Sequence, residues 1–285
     1  MVSHSVHFGE LILNMKREIS FTKMQGTGND FVVVDNQTHN FSKKTWIELT
    51  PELCDRKFGI GADGLLVLTE DDENKADYEM IYRNADGSDA GMCGNGGRCI
   101  ALFAAKNGFQ DQHTFRVHNS IYEADVDPES YQVAITFPHE VTLESRSGDR
   151  FSDLDYCYSG TDHVVIFDDK LEERERIKQI AQEIRNNSQL FPKGTNVNFY
   201  HPKDEHSLQL LTYERGVEDF TLACGTGALA TAITAHHNNV ISSNAIAVQV
   251  DGGKLDISFS VTSGVYSGLT LAGPAAIVFN GTIKI

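Results

Sequence analysis

The sequence lacks a long hydrophobic run, a surplus of basic residues and an ordered cysteine framework, and each absence removes a class of protein. Its apolar stretches, such as Val32–Val34 and Ala228–Ile233, fall far short of the roughly 20 residues that span a bilayer, so no membrane span is expected. Met1–Asn14 shows no basic opening, apolar core or small-residue cleavage site of a secretory signal. The cytoplasm is therefore the expected location, with residues 1–18 an N-terminal extension outside the fold. Lys and Arg number 24 against 40 Asp and Glu, a formal charge of −16. Phosphate backbones and anionic lipid need a basic face, so the expected partner is a small molecule and neither nucleic acid nor membrane. Five cysteines, an odd number at no disulfide-framework spacing, read as free thiols in a reducing compartment. No cysteine pair stands at metal-ligand spacing, and no metal is expected.

What the sequence does contain is written twice. Tyr82-Arg83-Asn84 through Cys93-Gly94-Asn95-Gly96 aligns without a gap on Tyr213-Glu214-Arg215 through Cys224-Gly225-Thr226-Gly227, at an offset of 131 (224 − 93). Gly28-Asn29-Asp30-Phe31-Val32-Val33-Val34 matches Gly160-Thr161-Asp162-His163-Val164-Val165-Ile166 at 132, and Gly59–Asp63 falls opposite Pro192–Asn196 at about 133. Order and spacing are both kept, as an internal duplication requires.

The predicted elements repeat as well: strand, helix, two strands, a Cys-Gly-x-Gly turn, a helix and further strands. Thr50-Pro51 reads as a helix start, with Thr as N-cap and Pro at N1. Ile177, Ile180, Ala181 and Ile184 mark an amphipathic helix. Arg98–Lys106 and Ala228–Ala235 are apolar nearly all round, which marks helices enclosed by other elements. The expectation is an α+β fold of two pseudo-symmetric domains, each a mixed, mainly antiparallel sheet around a central buried helix. The first domain spans 19–140 and the second 141–272. Gly59–Gly64 fits G-x-G-x-x-G, yet the strand-like Leu65–Leu68 follows where a dinucleotide site needs a helix, so no nucleotide cofactor is expected. Glu70–Glu73 reads as a solvated acidic loop.

Each Cys-Gly-x-Gly turn opens a buried helix, whose free N–H groups and positive dipole end lower a thiol's pKa and bind carboxylates. One such site suits a cysteine hydrolase. Two sites related by a pseudo-twofold suit inversion of a stereocentre, with one thiol removing a proton from one face and the other delivering a proton to the opposite face. Cys54, Cys99 and Cys157 lack counterparts in the other copy and read as buried apolar residues. Cys93 and Cys224 are the candidate acid–base pair.

Lys23–Phe31, Asn84–Ser88, Cys93–Cys99, Glu214–Gly216 and Ala223–Gly227, in this order, resemble the diaminopimelate epimerase family over residues 21–285. The resemblance implies a fold shared with proline racemase and phenazine-biosynthesis isomerases. It implies interconversion of LL- and meso-diaminopimelate without pyridoxal phosphate or any other cofactor, for lysine and peptidoglycan synthesis. The alternative is a related cofactor-independent racemase of a different amino acid. Carried over by motif, Cys93 and Cys224 are the acid–base pair. Gly94, Asn95, Gly225 and Thr226 hold the reacting carboxylate, and Asn29, Asn84, Thr161 and Asn196 line the pocket. Arg215 pairs with the distal carboxylate, a role that suits its bidentate fork. Glu214 and His163 contact the reacting amine and set thiol protonation. Outside their motifs, the asparagines would read as turn residues and His163 as a core histidine. The family commonly has Gly-Asn-Pro-His where this chain has Gly160-Thr161-Asp162-His163. The resemblance further implies that residues 273–285 return to complete the first domain, and it leaves room for a homodimer.

Overall fold

Period-two alternation writes many of the strands. In Gly253–Thr262, for example, Leu255, Ile257 and Phe259 face inward while Lys254, Asp256 and Ser258 face solvent. The structure, a computed structural model, describes residues 18–148 and 151–285; apart from Glu18, the expected extension 1–18 lies outside the described residues.

The first half runs β1 (Glu18–Gly26), β2 (Asn29–Asp35), α1 (Asn36–His39), α2 (Lys43–Cys54), β3 (Gly64–Thr69), β4 (Tyr78–Asn84), α3 (Gly94–Lys106), β5 (Gln112–Val117), β6 (Ser120–Asp127) and β7 (Gln132–Thr136). The second runs β8 (Leu143–Gly148), β9 (Phe151–Tyr158), β10 (Asp162–Phe167), α4 (Arg174–Arg185), β11 (Asn196–Asp204), β12 (Ser207–Glu214), β13 (Asp219–Thr221), α5 (Gly225–His237), β14 (Ala245–Val250), β15 (Gly253–Thr262) and β16 (Val265–Pro274), before β17 (Ala276–Lys284).

Strand pairing forms one continuous ladder. The order β17, β1, β2, β3, β4, β5, β6, β7 packs on α3. The order β8, β9, β10, β11, β12, β14, β15, β16 packs on α5, and antiparallel pairing of β7 with β16 joins the two. Parallel pairs fall at equivalent places, β2 with β3 and β4 with β5, then β10 with β11 and β12 with β14. The α+β class and the mixed, mainly antiparallel sheets around buried helices are as expected. Gly94 through Ala104 and Gly225 through Ala235 are buried without a break, so each helix is shielded on every side along that stretch. Among the described residues no helix is long and apolar enough to cross a membrane.

Two local expectations are corrected. Helix α2 begins at Lys43, where the Ser42 hydroxyl caps the Thr45 N–H, and Pro51 lies inside it. Thr50 turns its hydroxyl back onto Trp46 O at 2.6 Å, so the apparent cap residue is a mid-helix one. Nor is the acidic loop solvated throughout. Asp71 is buried, accepts the N–H groups of Glu73, Lys75 and Ala76, and meets Arg116 Nε at 2.6 Å. Burial pushes its carboxyl up, but Arg116 and those N–H groups hold it well below the usual range.

Candidate active site

Cys93 caps α3 and Cys224 caps α5. Both are extended (φ −121°, ψ 120° and φ −124°, ψ 110°), and each sulfur accepts the N–H of the residue three positions on, Gly96 or Gly227, at 3.4 Å. Sulfur takes the place of the side-chain oxygen of an ordinary N-cap, at the positive end of the helix dipole.

The two helix N-termini meet. A Cβ added to Gly94 would lie 3.4 Å from Gly225 Cα, and one added to Gly225 would lie 3.2 Å from Gly94 Cα. Both would collide with Leu271 Cδ2, at 2.5 and 2.7 Å, so the approach depends on residues without side chains. Asn95 Nδ2 completes the junction by donating to Ala223 O, next to Cys224, at 3.0 Å.

Behind Cys93, Asn29 Nδ2 donates to Asp63 Oδ2 at 2.7 Å. This turns Asn29 Oδ1 toward the Cys93 sulfur, 3.7 Å away, and toward Asn95 Nδ2 at 3.5 Å. Arg56 spans Asp63 and Asp30 at 2.8 and 2.7 Å, and Lys23 binds Asp30 and Gly61 O. Burial raises the Asp30 carboxyl, but Arg56 and Lys23 together hold it far below the usual carboxylate range.

Behind Cys224, the buried His163 takes the place Phe31 has in the first half. Asn198 Nδ2 donates to His163 Nδ1 and to Val164 O, each at 3.0 Å. A carbonyl can only accept, so the amide orientation is settled and the imidazole proton sits on Nε2. That nitrogen faces Thr226 Oγ1 at 3.0 Å and Thr161 Oγ1 at 2.9 Å, and Thr226 Oγ1 lies 3.5 Å from the Cys224 sulfur. Burial pulls the imidazole down to about 3, which keeps it neutral at ordinary pH.

Both thiols open on one cleft of about 1000 Å³ between the halves. Asn29, Asn84, Cys93, Gly94 and Asn95 line it from one side; Thr161, Asn196, Glu214, Arg215, Cys224, Gly225 and Thr226 line it from the other. His163 alone among the residues proposed from sequence stands behind the wall, reaching the cavity through Thr226 and Thr161. Arg215 Nη1 donates to Lys193 O at 3.0 Å and lies 3.5 Å from Asp162, and Asn196 Oδ1 accepts the Arg215 N–H at 2.8 Å. Sequence reasoning missed Asp63 and Arg56, which also line the cleft. For Asp63 a signal was available, because the sequence repeat sets it opposite Asn196, one position from the pairing that strand register gives; Arg56 had none.

Burial pushes both thiols up, Cys93 to about 11 and Cys224 further. Backbone N–H groups pull each sulfur back, while the half-buried Glu214 carboxylate, facing both, adds to the rise. Burial, with the Asp63 charge, raises the Glu214 carboxyl in turn. Both thiols therefore need a cationic or hydrogen-bonding partner to ionise readily.

The family model for diaminopimelate epimerase matches residues 21–124 and 156–277. Curated relatives include a diaminopimelate epimerase of Flavobacterium psychrophilum, 39% identical over 265 residues and covering 92% of this chain and 98% of that protein. Another, from Alkaliphilus metalliredigens, is 34% identical over 286 residues, covering 93% of this chain and 97% of its own. Among solved structures, a hydroxyproline epimerase from Agrobacterium vitis with bound trans-4-hydroxy-L-proline superposes with a TM-score of 0.70 at 13% identity, covering 95% and 94% of the two chains. A Bacillus anthracis phenazine-biosynthesis protein gives 0.71 at 11% identity over 94% and 100%. At such identities these structures share the fold alone. The match of the family model over most of the chain, with relatives above 30% identity along nearly their whole length, places this protein in the diaminopimelate epimerase family.

Proposed function

We propose that the protein interconverts LL- and meso-diaminopimelate, with one of Cys93 and Cys224 taking the α-proton and the other giving its own proton to the opposite face, and with no cofactor. The observation that carries this reading is the pair of matched cysteine N-caps, whose helix N-termini face each other across a single cleft. The substrate carboxylate sits between the two N-termini. One sulfur, as thiolate, takes the α-proton, and the electron pair left on carbon spreads into the carboxylate under the N–H groups of Gly94, Asn95, Gly225 and Thr226. The opposite thiol then gives its proton to the other face of the carbon, so the two sulfurs end with their protonation states exchanged. Glu214 takes the reacting ammonium group and shields the thiols from its own charge in doing so. His163 holds Thr226 in place as a neutral donor.

Arg215 takes the distal carboxylate, since within its guanidinium the hydrogen bonds to described residues leave from Nη1, to Lys193 O and Gly194 O. A racemase of a shorter amino acid would have no use for that guanidinium, and the relatives' names weigh against it. On this reading 19–140 with 273–285 and 141–272 are the two domains, supported by the pairing of β17 with β1. Five free cysteines fit a cytoplasmic enzyme, and a homodimer is the assembly to test by sedimentation. The deciding experiment is turnover of LL-diaminopimelate in D₂O. One α-deuterium should enter with inversion, and the Arg215→Ala variant should lose diaminopimelate activity. Absence of α-exchange in the parent protein would overturn the function.

A further inference from the structure

Arg98 is a charge that neither the duplication nor the proton-transfer pair accounts for. It is the fifth residue of α3, fully buried, and among the described residues no carboxylate lies within ion-pair distance of it. Four neutral acceptors hold the guanidinium: Gly94 O at 3.2 Å, Asn95 Oδ1 and Thr27 Oγ1 at 3.0 Å each, and Pro274 O at 3.2 Å. The backbone is cut to fit it, because a Cβ at Gly26 would come 3.3 Å from Nη2 and one at Gly273 would come 3.4 Å from Nε. Burial pulls Arg98 down only to about 10, so it stays cationic at neutral pH. Burial opposes an unpaired cation here, and so does the positive end of the helix dipole one turn away. The equivalent fifth residue of α5 is the buried Leu229, which shows that the helix itself does not require an arginine there.

We propose that Arg98 is the positioning residue of the Cys93 side, its charge favouring the Cys93 thiolate and its Nη2 bond fixing the Asn95 amide that reaches across to Ala223. The assignment rests on the proton-transfer reading above. The groups that face Cys93 from the packed elements are Glu214 on β12, Cys224 at the start of α5, Tyr82 on β4, and Cys99 and Arg98 on α3. Glu214 and an ionised Cys224 oppose a thiolate, and burial keeps Tyr82 and Cys99 neutral. Arg98 is the cation of the set. A fixed positive charge present on one side alone makes the two thiols unequal and gives the buried guanidinium an anion to meet only when the site is ionised or occupied.

The test is the pH dependence of iodoacetamide alkylation at Cys93 and Cys224, resolved by peptide mass spectrometry, in the parent, Arg98→Lys and Arg98→Gln. Arg98→Gln should move the Cys93 midpoint up by about one pH unit, a roughly tenfold slower alkylation below the midpoint, and leave Cys224 where it is. Arg98→Lys keeps the charge while losing the planar fork, and should keep the Cys93 midpoint. An unmoved Cys93 midpoint in a folded Arg98→Gln protein, or equal shifts with Lys and Gln, would overturn the assignment. Should the glutamine variant fail to fold, Arg98→Met takes its place and is read in the same way against Arg98→Lys. Alkylation needs no turnover. A parent that alkylates as expected but exchanges no α-deuterium overturns the function alone, and full exchange with unmoved alkylation overturns Arg98 alone.

Discussion

The two halves of the molecule share a backbone and disagree about what surrounds the sulfur. Their cysteines have the same extended geometry and the same 3.4 Å bond from a glycine N–H, and both helices are 13 residues long. Strand register makes Phe31 and Gly64 the counterparts of His163 and Asn196, and so places Leu66 opposite Asn198. Thus apolar Phe31 and Leu66 back the Cys93 turn, with the Arg98 cation beside them. The Cys224 turn is backed by a neutral relay from Thr212 through Asn198 and His163 to Thr226, with Leu229 where the cation would be. Both devices keep polar groups satisfied next to a buried sulfur, by opposite means. What the duplication preserves is the cap and the glycine approach, which serve both faces of one carbon. What it lets drift is the environment that sets each thiol's ionisation.

The sharpest way to break the symmetry is to remove one sulfur. Cys93→Ser and Cys224→Ser should each reduce inversion by about 10³-fold, because a hydroxyl cannot supply the thiolate and neither thiol can serve both faces. Activity near the parent level in either variant would mean that the halves do not share one reaction.

Next in size is the place where the halves touch. Gly94→Ala and Gly225→Ala should each destabilise the fold by about 1–3 kcal/mol in denaturant melts, since both new methyl groups run into Leu271 Cδ2. Leu271→Ala should recover part of the loss in either background. Recovery in only one would show that the approach is less symmetric than the glycine contacts indicate.

The third effect separates the halves by pH. His163 is held neutral with its pKa depressed to about 3, against 6.5 when unfolded. Below 6.5 the unfolded chain binds a proton that the native one refuses, so this contribution is complete above pH 6.5 and is lost as pH falls toward 3. Between pH 7 and 5 the loss should amount to about 1–2 kcal/mol. Replacing His163 by Phe, the residue of the first half, should flatten that slope while leaving Asn198 and Thr226 short of a partner, at a cost of about 1–3 kcal/mol at pH 7. An unchanged slope in the variant would place the acid sensitivity elsewhere.

Much of this was legible in the chain. The repeat offset alone paired Cys93 with Cys224, Asn29 with Thr161 and Phe31 with His163. Glycine context singled out two cysteines of five. The buried helices showed as apolar runs that no amphipathic stripe interrupts. The rest depended on partners distant in sequence. Asp71 looks like any member of an acidic run until Arg116 arrives from another strand, and Pro51 looks like a helix start because Thr50's bond to Trp46 O is invisible in one dimension. Arg98 heads the run Arg98–Lys106 that reads as an enclosed helix, and nothing nearby in the chain tells that Gly26, Gly273 and Pro274 O enclose it.

The smallest expected effect concerns the clamp at Asp63, and it asks whether the two halves hold their pocket amides by the same means. Asp63 holds Asn29 by its amide nitrogen, while Asn196, the counterpart of the neighbouring Gly64, donates to Thr161 Oγ1 at 3.2 Å and accepts the Arg215 N–H. The Asp63 side chain is 44% exposed, so its ion pair with Arg56 is screened and contributes under about 1 kcal/mol to stability. Asp63→Ala should therefore leave the melt almost unchanged yet free the Asn29 amide to turn, presenting nitrogen instead of oxygen to Cys93. A loss of roughly tenfold in kcat is expected, part of what a full misplacement of a reacting group costs. Asn196→Ala removes a buried amide with two partners and should lower both activity and stability. If Asp63→Ala costs stability and spares kcat, the first-half clamp is scaffolding, and the resemblance between the halves ends at the cysteine caps.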